Sequence, residues 1–312
     1  MNVAKMARMA QLAECVPNFS EGRDASKIDA IVAAIRTVPD VLLLDRSSDT
    51  DHNRSVLTLA GTPDALREAA VRAVGKAAEL IDLRKHAGAH PRIGATDVVP
   101  FVPVEGVTLE ECVSIAHRVG REIWDRHKIP IYFYEAAATH LGRVNLETHR
   151  KGQFEGLLAD IERETGRAPD IGERRLHPSA GAVAVGARKF LIAYNINLNT
   201  PDTSIAKDIA RKVRTSGGGL PCVKAMGVDL SSRGMAQVSM NLTDFERTSL
   251  RAVFDAVKSE AAHRGVTIAA SEIIGLVPKR AFDSCSPSYF QLENFSPSQV
   301  FENRLQAALE ES

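Results

Sequence analysis

Cysteine is scarce in this chain. The 312 residues include four, Cys15, Cys112, Cys222 and Cys285, far apart and with no CxxC pair. This spacing argues against a disulfide framework or a zinc ribbon and leads us to expect a reducing, cytoplasmic compartment. Net charge is missing as well, since 39 Lys and Arg balance 39 Asp and Glu. Without a basic field the chain is not built for nucleic acid or for an anionic membrane surface. No apolar run approaches the roughly 18 residues of a membrane span. The opening "MNVAKMARMAQLAECV" has no apolar h-region, so no signal peptide is expected, and the regular pattern begins only near Leu12, which leaves Met6 and Met9 as alternative starts. The nucleotide-binding loops G-x-x-x-x-G-K-[ST] and G-x-G-x-x-G are absent, as is a G-x-S-x-G elbow.

What is present is an ordinary globular balance, 44% hydrophobic and 25% charged. The length suits two domains or one large one. "QLAECVPNF", "VLLLD", "RSVLTLAG", "TDVVPFVPV" and "IPIYFYEAA" read as strands. Between them Ile28, Ile31, Val32 and Ile35 recur at helical spacing, and Pro63 opens a second helix where a missing N–H costs nothing. A third helix starts at a Thr108–Glu111 capping box. After Ala138 the register loosens into a long polar connection, residues 140 to 180. The pattern restarts with "KFLIAYNINL", a helix from Pro201, the strands "CVKAMGVDL" and "AQVSMNLT" around a Ser-Ser-Arg-Gly turn, a helix with a capping box at Thr243 and Glu246, and "VTIAASEIIGLVP". Each half therefore reads strand, helix, strand, strand, helix, strand, with one further helix and strand in the first, the order of a split βαβ unit. The expected class is α/β (α+β), with two ferredoxin-like subdomains, each a mixed β-sheet covered by helices. Their expected extents are residues 1–182 and 183–312.

The chemistry concentrates in His86 to Val99, "HAGAHPRIGATDVV". Its two histidines have zincin spacing but no helix and no Glu, so a catalytic metal is disfavoured. His86 reads as a turn histidine. His90 sits where glycines let another molecule approach the backbone, with Arg92 and Asp97 nearby, and an imidazole in its ordinary titration range is a natural proton shuttle. Asp45 closes "VLLLD", and Asn53 and Arg54 lead directly into a strand. In "PNFSEG", Asn18, Ser20 and Glu21 serve either a ligand or the turn itself. In "GERRLHPSAGA", Arg174, Arg175 and His177 read either as part of a linker or as holders of an acidic ligand tail. The residues by themselves point to acid–base work on a small, polar, acidic molecule.

"ECVPNFSEGRD", "DHNRSV", "IDLRKHAGAHPRIGATDVVPFVPV", "GARKFLIAYNINL" and "AQVSMNL" strongly resemble the glutamate formimidoyltransferase family, the formiminotransferase domain of formiminotransferase-cyclodeaminase. The resemblance runs from about residue 12 to about residue 280. It implies two α/β subdomains in a homodimer, with the ligand site between the subdomains. It also implies transfer of a formimino group from N-formimino-L-glutamate to tetrahydrofolate in histidine degradation and one-carbon metabolism. Tetrahydrofolate would be a co-substrate, and no metal is implied. The family's catalytic histidine falls on His90. Its folate-contacting loop falls on Gly172, Glu173, Arg174, Arg175, Leu176, His177, Pro178, Ser179, Ala180 and Gly181. Asp45, Arg54 and Arg92 are the further substrate-binding candidates, the two arginines as carboxylate clamps. Some members carry an acid where this chain has Ser47, so that acid's role is not carried over. The cyclodeaminase part of the fused enzyme is not seen, so a separate cyclodeaminase or deiminase is expected to release ammonia. The alternatives are another one-carbon donor on the same fold (formylglutamate, formiminoglycine, or 5-formyltetrahydrofolate being cyclised) or a non-catalytic folate-binding protein.

Overall fold

The computed structural model describes residues 11–230 and 233–311. Residues 1–10, where most of the leader reading falls, and Ser231 and Ser232 of the expected turn lie outside the described residues.

The chain folds as two compact units, one running to Arg188 and the other from Lys189 to Ala307. In the first, β1 (Leu12–Cys15) and β2 (Asn18–Phe19) are two pieces of one path. Pro17 separates them because it has no N–H for the ladder, although its carbonyl still accepts from Leu57. Both pieces lie antiparallel between β4 (Arg54–Gly61) and β5 (Thr96–Glu105). β3 (Val41–Asp49) pairs with β4 at the edge. This is the strand order of the split unit that the sequence predicts. Helices α1 (Ala25–Arg36), α2 (Pro63–Leu80) and α3 (Leu109–His127) bury one stripe each against the sheet. α2 starts with Pro63 after the Thr62 cap, and α3 starts at the Thr108–Glu111 capping box, as the sequence indicates.

Two strands extend this sheet beyond β5. β7 (Val183–Ala187) runs parallel to β5, and β6 (Ile131–Glu135) runs parallel to β7. β7 carries the first unit past the expected edge at residue 182. All five of its residues are buried, it lies between two parallel neighbours, and the first unit continues through it to Arg188. Side chains alternate along β6. Ile131 and Phe133 join the helix-facing core, while Tyr132 and Tyr134 pack on the other face with Phe154 and Leu157. Those last two belong to α5 (Gln153–Asp160), which follows the short α4 (Leu146–Arg150) inside the region read as a loose connection.

The second unit holds β8 (Ile192–Leu198), β9 (Val223–Leu230), β10 (Met235–Leu242) and β11 (Ile268–Ile274), with α6 (Thr203–Val213) and α7 (Leu250–Ala262). Its order is β11-β8-β10-β9, antiparallel throughout. The Thr243–Glu246 capping box does not form. The Thr243 hydroxyl and backbone N–H both donate to the Cys222 carbonyl, and α7 begins six residues later with Ser249 as its cap. α8 (Phe301–Glu311) ends the described chain. No helix among the described residues is long and apolar enough to cross a membrane.

Candidate active site

The site grows from an irregularity in β5. Asn18 and Phe19 are consecutive in β2, but they face Val98 and Thr96, so Asp97 is the extra residue of a β-bulge. A bulge re-aims its side chain. The Asp97 carboxylate is fully buried (0% exposed) and accepts from the Ile93 N–H at 2.8 Å, from Arg54 Nη1 at 2.8 Å and from Arg150 Nη2 at the end of α4. The two guanidiniums hold the carboxyl down to about 2 despite its burial. Arg54 Nε donates to Asn18 Oδ1 at 3.1 Å. Arg54 and Asp97 are buried and Arg150 is partly exposed, and the cluster sets two guanidiniums against one carboxylate.

The histidine loop is fastened beside this cluster. Asn53, in the left-handed region (φ 48°), donates from Nδ2 to the Ala87 carbonyl and accepts the Gly22 N–H on Oδ1. The Ala89 N–H donates to the Asp51 carbonyl. At Gly88 a Cβ would stand 2.3 Å from the His52 carbonyl oxygen, so only glycine lets the loop lie this close to the 51–53 turn. His90 is half-buried, and its Nδ1 lies 2.7 Å from the Pro91 carbonyl. A carbonyl can only accept, so Nδ1 carries the hydrogen and Nε2 keeps its lone pair. Burial, followed by Arg54 and Arg150, pushes His90 down to about 4. The ordinary range expected from the sequence does not hold, because burial and the neighbouring guanidiniums both disfavour an imidazolium. At neutral pH this histidine is a free base.

His86 differs in kind. Its Nδ1 accepts from Arg92 Nε at 3.1 Å, and its Nε2 donates to the Asn53 carbonyl at 3.0 Å. Both ring nitrogens are engaged by protein, the turn role read from the sequence. Arg92 is buried, and its guanidinium is filled by a bidentate pair with Glu155 (2.7 and 2.8 Å), by Gln153 Oε1 and by the His86 carbonyl. Arg92 therefore braces the histidine loop against α5 and does not stand open as a carboxylate clamp.

The remaining candidates fall in three places. Asp45 does not close its strand. β3 continues to Asp49, and Asp45 lies mid-strand opposite Thr58, after a bulge at Leu44. The Gly172–Gly181 loop is laced to the histidine loop. The Ser179 and Ala180 carbonyls accept from Leu83 and Ala95, and Ala182 donates to Ile93. Within it Leu176 is buried, His177 Nδ1 accepts from the Ala180 N–H at 3.0 Å, Arg174 Nε donates to the Ile161 carbonyl, and Arg175 pairs with Glu173 in solvent. His177 is thus a turn residue, while Pro178 and the Arg175–Glu173 pair remain exposed. Glu21 proves to be turn chemistry, while Ser20 ties its turn to the histidine loop. Ser20 Oγ donates to the Gly94 carbonyl, and Glu21 accepts from the Arg23 and Asp24 N–H groups and from Lys27. Sequence reasoning missed Arg150, which sits in a helix of five residues with no periodicity to announce it.

The arrangement is a charge cluster with a neutral histidine beside it, Nδ1 engaged and Nε2 open. Comparison with known proteins gives that site a family. Residues 12–188 match the formiminotransferase domain, N-terminal subdomain, and residues 193–309 match the formiminotransferase domain. The glutamate formimidoyltransferase of Streptococcus pyogenes serotype M1 is 48% identical over 298 residues, 95% of this chain and 99% of that one. The glutamate formimidoyltransferase of Thermoplasma acidophilum is 41% identical over 299 residues, 95% and 98% of the two chains. The formimidoyltransferase-cyclodeaminase of Sus scrofa is 42% identical over 292 residues, which cover 92% of this chain and 54% of that one. The chain belongs to the formiminotransferase family.

Proposed function

We propose that this protein is an enzyme that transfers the formimino group of N-formimino-L-glutamate to tetrahydrofolate, giving 5-formiminotetrahydrofolate and L-glutamate. The observation that carries the reading is His90, a half-buried imidazole with Nδ1–H given to Pro91 and a free Nε2 lone pair, kept neutral by burial and by Arg54 and Arg150. In this mechanism N5 of tetrahydrofolate attacks the amidine carbon. His90 Nε2 takes the N5 proton and returns it to the glutamate nitrogen as the bond between that nitrogen and the amidine carbon breaks. Positioned proton transfer of this kind contributes roughly 10²–10⁴ in rate. Holding both substrates in register supplies much of the rest.

Arg54 offers charge to the anionic donor from inside the cluster. The Gly172–Gly181 loop is proposed to contact folate, with Arg174 and Arg175 near its acidic tail. Support for placing it there is the lacing of this loop to the histidine loop. The proposal extends to a cytoplasmic homodimer, with a separate cyclodeaminase or deiminase acting on the product. The test is spectrophotometric. Purified protein supplied with N-formimino-L-glutamate and tetrahydrofolate should accumulate 5-formiminotetrahydrofolate. A folded protein that binds tetrahydrofolate yet makes none would refute the reading.

A further inference from the structure

We propose that His52, held by Asp49, is a second acid–base residue of the site and supplies a proton that His90 cannot; the proposal rests on the formimino transfer described above. His52 lies in the turn between β3 and β4, where Asp49, the last residue of β3, grips it twice. Asp49 Oδ1 accepts the His52 and Asp51 N–H groups at 2.7 and 2.9 Å, and Oδ2 stands 3.1 Å from His52 Nδ1. The hydrogen bonds from His52 hold the Asp49 carboxyl below the usual carboxylate range, so it is ionised at neutral pH. An ionised carboxylate can only accept, so Nδ1 carries the hydrogen and Nε2 is the open nitrogen. Both side chains are about half exposed, which leaves the ring in contact with water.

The ring stands beside His90. The two centroids are 6.1 Å apart with the planes at 81°, edge to face. Backbone contacts fix this pairing. The Ala89 N–H donates to the Asp51 carbonyl, one residue before each histidine, and Gly88 lies against the His52 carbonyl. Two hydrogen bonds end to end span roughly 6 Å, so one substrate nitrogen can meet both rings. His90 has Nδ1 on the Pro91 carbonyl and His52 has Nδ1 on Asp49, and each keeps Nε2 for that nitrogen. His86, with both ring nitrogens taken by protein, cannot share the task.

Proton counting says why a second group is needed. The formimino group is an amidinium before and after the transfer. The nitrogen that departs carries one hydrogen in the donor, whereas the amino group of free glutamate at neutral pH carries three. N5 of tetrahydrofolate has a single hydrogen to give, and His90 carries that one across. The remaining proton comes from outside both substrates. Water gives it to His52 Nε2, and Asp49 balances the charge that the ring then holds. The Nε2–H bond breaks as the third N–H bond of glutamate forms, and His52 returns to its starting state. As an ammonium group the nitrogen has no lone pair with which to attack the formimino carbon again. His52 is thus the acid, and Asp49 is its positioning residue.

The experiment measures 5-formiminotetrahydrofolate formation by wild type, His52→Gln, His52→Ala and Asp49→Asn, with and without added imidazole, together with each melting temperature. His52→Gln should lose roughly 10²-fold in kcat, the low end for positioned proton transfer because water reaches the same nitrogen, with both KM values near wild type. Asp49→Asn keeps an oxygen for the two backbone N–H groups and loses the charge, so kcat should fall by a smaller factor, again without a change in KM. Imidazole should restore turnover to His52→Ala in proportion to its concentration and leave wild type unchanged, which a purely structural role would not show. Melting temperatures should stay near wild type throughout. Wild-type kcat in His52→Gln overturns the proposal. So does a loss confined to KM, or a loss of kcat in His52→Ala that imidazole does not relieve. Absence of any product from wild type refutes the functional reading itself, whereas turnover that survives the loss of His52 refutes this proposal alone.

Discussion

Glu14 gives a stability test whose size follows from the structure. It lies on β1 between Ala13 and Cys15, both in the helix-facing core, so its carboxyl leaves on the opposite face of the sheet. It is 3% exposed, and Oε2 has no hydrogen-bond partner. Burial pushes its titration up from 4.5 to about 7, with Arg188 offsetting part of the effect. A raised carboxyl favours the neutral form in the folded state. Its contribution to stability is fully present below pH 4.5 and is lost as pH rises through about 7. A carboxyl titrating at about 7 folded and 4.5 unfolded withdraws about 3 kcal/mol from folding once the pH is well above 7. Glu14→Gln keeps the shape and removes the titration. Urea unfolding from pH 5 to 8.5 should show wild type losing stability relative to Glu14→Gln by that order across the range. Two pH profiles that stay parallel would refute the assignment of a buried, neutral-leaning carboxyl at this position.

The other predictions concern the loops. His86→Ala should cost about 1–3 kcal/mol in urea unfolding, since it strands Arg92 Nε and the Asn53 carbonyl, while turnover falls far less than for His90→Ala. Gly94→Ala would set a Cβ 2.0 Å from the Ala182 carbonyl oxygen, and backbone cannot swing aside, so a loss of about 3 kcal/mol or more is expected by thermal unfolding. Arg174→Ala with Arg175→Ala should raise the KM for tetrahydrofolate and leave kcat nearly unchanged, the pattern of lost uniform binding. Collapse of kcat with unchanged folate affinity would make that loop catalytic. For wild type, kcat/KM should hold from neutrality down to about pH 5 and fall toward pH 4 as His90 takes a proton; an acid limb at 6.5 would contradict the buried, cation-flanked setting of the histidine.

The sequence was most informative where one local rule decided the outcome. Pro63 and the Thr108–Glu111 pair start their helices because nothing elsewhere competes for those backbone groups. At Thr243 the same motif failed, because the Cys222 carbonyl, twenty-one positions away, captured the hydroxyl. "VAVGA" was hidden in a presumed joint: a strand buried on both faces shows no alternation, and five residues are too few to stand out. The open setting of His90 was foreseeable because a loop of glycines and a proline offers an imidazole few partners, and its Nδ1 engages only the next residue's carbonyl. The fates of Arg92 and Arg150 were not, since Glu155 and Asp97 are distant in sequence and only folding decides which guanidinium is filled. Asp97 gains its place from a one-residue bulge, a register detail invisible to periodicity.

The most direct measurement is the rate of 5-formiminotetrahydrofolate formation by wild type, His90→Ala and His86→Ala, each with its melting temperature. The account predicts a fall in kcat of roughly 10²–10⁴ for His90→Ala, with substrate binding and melting temperature near wild type, and a far smaller fall for His86→Ala. Wild-type turnover in His90→Ala would contradict it, as would equal losses in both variants together with abolition of activity by a chelator.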